Sequence, residues 1–173
     1  ISLNENEKRE LQIVSKVSFE KIWTKIPLSL KKMTLSQSIL EISDFTLEKN
    51  DPYPRLFKIL VETFKHFETG SLDENICFWH YETKLLSEMG FLIDMEDRNI
   101  NEEGLVSLEK TDNSFQVLSK LIEGNVFDID FDNISTIDKK TISKFLYQKL
   151  CYYFDGFERL KSFRVIKDIF YKG

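Results

Sequence analysis

Histidine and cysteine, the side chains most often recruited for metal and nucleophilic chemistry, are nearly missing here, with two of each in 173 residues. His66 and His80 fall in no HExxH spacing, and Cys77 and Cys151 form no CxxC pair, so no zinc site can be read from them. The two cysteines lie within helical patterns and read as reduced core thiols, which points to a reducing compartment. The six glycines and three prolines gather into no phosphate-cradling loop and no GxSxG turn. Charges interrupt every apolar segment, so none approaches the ~18 residues of a membrane span. No charged stretch followed by an apolar one suggests a secretory leader. These absences predict a soluble, cytoplasmic protein that is not an enzyme, holds no metal or cofactor, and does not enter a membrane.

What the chain does have is apolar material for one core: 42% hydrophobic and 13% aromatic residues, in a length suited to a single domain. Period-3.6 stripes recur along it. Leu35, Ile39, Ile42 and Phe45 mark a helix within 28–49, and Leu56, Phe57, Leu60, Val61, Phe64 and Phe67 another over 54–68, opened by Pro54 and closed by Gly70. Ser71 and Glu74 have the S-x-x-E form of a capping box for a helix running to Met89 and closed by Gly90. Its apolar residues wrap more than one face, which predicts the central helix of a bundle. Asn113 is placed to cap a short helix to Gly124, and Ser135 or Thr136 a long one to Phe154.

Other stretches read differently. Residues 1–8 are polar and predict a connector to something N-terminal, with residues 9–173 as the helical domain. Glu10 to Val17 reads as a short helix, and Phe19, Ile22 and Trp23 continue an apolar face to Pro27. Asp94 to Thr111 reads as a surface loop, with Leu105 to Leu108 as a possible strand of a hairpin insertion. Val126 to Asp132 alternates like a strand and lacks the glycine and terminal glutamate of a calcium loop. The fold class predicted is all-α, an irregular orthogonal bundle of about six or seven helices.

Charge is unevenly spread. Residues 139–173 hold nine Lys and Arg against three acids, a net +6, which leaves −11 for the rest of a chain whose total is −5. A basic last part on an acidic body points to one anion-facing end. Near that end, Gly156 suits a left-handed helix stop, and Ser162 reads as the N-cap of a last helix striped by Phe163, Ile166, Ile169 and Phe170. Lys161 and Arg164 then stand where unpaired N–H groups already make the potential positive, an arrangement relieved by an anion. An Arg164–Asp168 pair is the simpler use of the arginine. Lys139, Lys140 and Lys144 open the preceding helix. Cations beside Tyr152, Tyr153, Phe157, Phe163 and Tyr171 suit either stacked bases with their phosphates or an acidic, aromatic-ended peptide. Phe157 and Tyr171 are the aromatics expected to be exposed.

The run from Phe154 to Phe170, with its Gly-Phe, Leu-Lys-Ser and Val-Ile, resembles the C-terminal part of the bacterial recombination and DNA-repair mediator RecO in its Bacteroidetes-like form. Leu56-Phe57 through Trp79-His80-Tyr81-Glu82-Thr83-Lys84-Leu85-Leu86-Ser87-Glu88-Met89-Gly90-Phe91 is similar to the family's helix pair ending in a Leu-Gly-Tyr/Phe turn. The resemblance implies an N-terminal OB-fold ahead of this chain, strand annealing, action with RecR in loading RecA, and binding of the acidic C-terminal tail of single-strand-binding protein. The family's four-cysteine zinc site is not carried over, because residues 94–111 contain neither Cys nor His. On this resemblance Phe157, Lys161, Arg164 and Lys167 are expected to bind the partner tail, and Lys139, Lys140 and Lys144 to contact single-stranded DNA. A helical scaffold without a nucleic-acid role is the alternative.

Overall fold

The computed structural model describes residues 2–4, 13–19, 22–91, 108, 112–124 and 126–171. Six α-helices account for most of them: α1 (Leu30–Thr46), α2 (Pro54–Thr69), α3 (Glu74–Glu88), α4 (Asn113–Glu123), α5 (Thr136–Tyr153) and α6 (Lys161–Tyr171). The all-α reading therefore holds. The core is built around α3, which packs against α1, α2, α4 and α5. Its residues Ile76, Cys77, Phe78 and Trp79, then Tyr81, Glu82, Thr83, Leu85 and Leu86, are all buried. Such consecutive burial leaves little solvent face and explains why its apolar residues show no single stripe.

By contrast, α2 is an amphipathic helix on the outside. Pro54 occupies its first turn, where a missing N–H costs nothing, and Gly70 ends it at φ 68°. Glu68 near its end folds the preceding chain back on it: the carboxylate accepts from the N–H groups of Thr24, Lys25 and Ile26 at 2.9–3.2 Å and from the Thr24 hydroxyl. Four donors on one carboxylate hold its pKa down at about 2, against the upward push of desolvation. The small hydroxyls of α1 let neighbours approach closely. Ser38 and Thr46 donate to the carbonyls of Thr34 and Ile42 one turn back, so they are buried without an orphaned group.

Several local expectations fail for identifiable reasons. The segment expected as a helix over 10–17 contains instead strand β2 (Ile13–Lys16), antiparallel to β1 (Ser2–Asn4) with Leu3 opposite Val14. β-Branched Ile13 and Val14 suit a pleated ladder better than a helix turn. Phe19 and Ile22 do not continue an apolar face: they are 81% and 67% exposed, while Trp23 alone packs edge-on against Phe64. The alternating run at 126–132 forms two 3-10 turns, Val126–Asp128 and Phe131–Asn133. Its buried members Val126 and Ile129 are three apart, the 3-10 period, and Asp130 turns back on Asp132 N–H and the Asn133 amide. The cap of α3 is Asp73, which accepts from Asn75 N–H at 2.7 Å, whereas Ser71 bonds His66 Nδ1. Asp112, not Asn113, is the N-cap residue of α4, and Ser135 caps α5 as expected. The loop and hairpin expected within 94–111 lie outside the described residues apart from Leu108, which packs against the core.

Candidate functional site: a lysine-rimmed apolar groove

Where α3 and α5 diverge they leave an open groove of about 680 Å³. Helical spacing writes both walls. Asn75, Phe78, Trp79 and Glu82 are one stripe of α3, and Thr136, Lys139, Lys140, Ser143, Lys144, Tyr147 and Gln148 one stripe of α5. Phe163 and Ile166 of α6, with Leu35 of α1, complete the lining. The bottom is rigid: Trp79 Nε1 donates to Ser143 Oγ at 3.0 Å, and Phe163 contacts both Phe78 and Tyr147. Along the α5 side Lys140 and Lys144 are exposed and Lys139 is half-buried, so one rim carries three cations above an apolar bottom.

Glu82 is the exception among the bottom residues. It is 2% exposed and makes no hydrogen bond or ion pair with a described residue. Burial pushes its carboxyl well above the ordinary glutamate range. Glu82 is visible in the sequence as an acid in an apolar stripe of α3, but its loss of water is not.

The three lysines expected to face DNA are thus gathered on one rim. The four residues expected to bind a partner tail are not gathered. Phe157 is wholly buried, ringed by Phe45, Tyr147, Phe154 and Phe163 at 5.0–6.5 Å between ring centres. It offers no face to a partner, which corrects the expectation that it is exposed. The physical reason is Gly156: at φ 83° it reverses the chain after α5, driving Phe157 inward. Lys161 and Arg164 are exposed and lie outside the groove lining. The side chains of Lys167, Asp168 and Tyr171 lie outside the described residues.

The anion expected at the start of the last helix is supplied from within. Helix α6 begins at Lys161, so Ser162 lies inside it rather than capping it. The cap is Glu41 of α1, whose two carboxylate oxygens accept from the N–H groups of Lys161 and Ser162. Desolvation pushes the Glu41 pKa up, but the hydrogen bonds from Ser162 and Lys161 outweigh it and the net shift is downward.

The remaining reactive side chains sit away from this groove. Cys77 is buried and its thiol is pushed up to about 12 by desolvation and by nearby Asp73 and Glu74, which makes it a poor nucleophile. Burial lowers His80 to about 4, helped by Lys84, and lowers His66 as well. Among the described residues no cluster of His, Cys, Asp and Glu is arranged to hold a metal ion, and no helix is long and apolar enough to cross a membrane.

The fold and the groove define an all-α domain with a cation-rimmed apolar cleft between its helices. Residues 27–105 match the family model for the C-terminal region of recombination protein O. The helical unit that they build, from α1 through α3, is thus similar to the RecO C-terminal region over somewhat less than half of the chain. The match includes the α1 and α3 walls of the groove, while α5 and α6 lie beyond it. No curated protein and no solved structure matches the chain.

Proposed function

We propose that this protein is a recombination and repair mediator, acting by binding rather than catalysis, whose helical domain docks the acidic C-terminal tail of single-strand-binding protein in the groove between α3, α5 and α6. The observation that carries the reading is the pairing of an apolar bottom with Lys139, Lys140 and Lys144 on one rim. An acidic stretch meets the lysines while an apolar or aromatic end fills the cleft. Docking there brings the mediator to coated single strands, where it works with RecR in RecA loading and strand annealing in the cytoplasm. The same lysines make the weaker contact with single-stranded DNA.

The test is fluorescence anisotropy of a labelled acidic peptide ending in a free-carboxylate phenylalanine. Saturable binding is expected, weakened about tenfold or more by Lys139→Glu with Lys144→Glu. Lys161→Glu with Arg164→Glu is expected to leave it within about twofold, since that end of α6 is already served by Glu41. Absence of binding by the native protein at low and moderate salt would leave a helical scaffold without this role.

A further inference from the structure

Glu82 is an acid at the bottom of an anion-attracting groove, with no partner among the described residues. A carboxyl on the wall of a mostly apolar groove, with no bond to a described residue, is costly in a folded protein unless water or an occupant of the groove supplies the bond. Ionised, it would need a cation. Lys139, Lys140 and Lys144 line the same groove, yet none forms an ion pair with it. They also repel any cationic ligand at the mouth. Protonated, Glu82 is a hydrogen-bond donor on the wall of a mostly apolar groove, and the fitting occupant is an oxygen acceptor.

We propose that Glu82 is the specificity-determining residue of this groove, donating its carboxyl proton in a hydrogen bond to the C-terminal carboxylate of the docked acidic peptide. The proposal rests on the docking reading above and adds what end of the peptide reaches the bottom. The acidic side chains stay at the lysine rim, the last apolar side chain lies against Phe78, Trp79 and Phe163, and the terminal carboxylate meets Glu82. An O–H to carboxylate bond is short and strong, and a docked peptide that covers the groove shields it from water. A fully ionised Glu82 would instead repel the same carboxylate, so docking requires one proton.

The charged and titratable groups facing Glu82 are few. From α5 they are Lys139, Lys140, Lys144 and the phenol of Tyr147; α3 adds the uncharged Asn75. From α1 and α6 only Leu35, Phe163 and Ile166 line the groove, and α2 and α4 line none of it. Burial pushes the Tyr147 phenol up to about 12, so the proton that a change from about pH 6 to pH 9 tests in this groove is that of Glu82.

The experiment uses the native chain, Glu82→Gln and Glu82→Met, with labelled acidic peptides ending in phenylalanine as the free acid or as the carboxamide, from about pH 6 to pH 9. For the native chain, affinity for the free acid falls as pH rises, and the carboxamide, still an acceptor, binds with a weaker pH dependence. Glu82→Gln keeps a donor and binds the free acid with no pH dependence. Glu82→Met loses about tenfold for the free acid and no longer distinguishes it from the carboxamide. Circular dichroism checks that each variant is folded, and if Glu82→Met is not, the pH profile of Glu82→Gln decides. Free-acid binding by Glu82→Met equal to the native chain, or affinity that rises with pH, overturns the role of Glu82 alone. Failure of every form to bind either peptide overturns the docking reading and this one with it.

Discussion

Glu41 and Ser162 are 121 residues apart in the chain and are joined by a hydrogen bond of 2.8 Å from the Ser162 N–H to the Glu41 carboxylate, whose other oxygen accepts from Lys161 N–H at 3.1 Å. One acid of α1 thereby caps α6 and occupies the position where an outside anion was expected. The bond also fixes the start of the helix that supplies Phe163 and Ile166 to the groove.

Glu41→Ala is expected to destabilise the protein by about 1 kcal/mol, the usual cost of a lost N-cap. Amide hydrogen exchange should report the loss in the first turn of α6. Because folding lowers the Glu41 pKa, the carboxylate's contribution is present above the ordinary glutamate range and is lost as pH falls below it. The acid limb of a stability–pH curve should accordingly flatten in Glu41→Ala. Equal exchange in the native and variant helix would show that Glu41 does not cap α6.

Phe157→Ala is expected to cost about 3–5 kcal/mol, since the ring is wholly buried among four other aromatics. At a temperature where the variant remains folded, its affinity for the acidic peptide should stay within about threefold of native. Denaturant unfolding and peptide anisotropy on the same preparation separate the two effects. A large affinity loss without a stability loss would return Phe157 to the binding surface.

Glu82→Met is expected to stabilise the unliganded protein, by about 1 kcal/mol at neutral pH, because it replaces an unpartnered buried acid with an apolar side chain of similar length. The folded pKa of Glu82 is raised, so its contribution to stability is full below the unfolded glutamate pKa and declines as pH rises toward the folded one. That decline should be absent from the variant when thermal midpoints are compared across pH. A lower midpoint for Glu82→Met at neutral pH would contradict the assignment of this acid as unpartnered. Gain in stability with loss of docking is the pattern expected when a polar group is kept for binding.

Local chemistry made much of the fold readable before any tertiary contact was known. Pro54 and Gly70 bound α2, Ser135 opens α5, and stripes such as Leu35, Ile39 and Ile42 identify buried faces, because each is a rule about one turn of helix. The family resemblance was also readable, through the block ending at Gly90-Phe91. The sequence further placed three lysines on one stripe of α5, a matter of spacing alone.

Tertiary structure decided the rest, for reasons that spacing cannot express. Whether Phe157 faces water depends on how Gly156 turns the chain into the aromatic cluster. Whether α6 awaits an anion depends on Glu41, far away in sequence. The paired strand at 13–16 needed a partner from residues 2–4, and the 3-10 turn at Val126–Asp128 was chosen by packing against α3 and α4. The groove itself exists only because folding sets stripes of α3 and α5 and two residues of α6 around one space, and desolvation of Glu82 is a property of all of them together. A sequence specifies which groups are available, while their water, partners and field are set by the neighbours that folding brings.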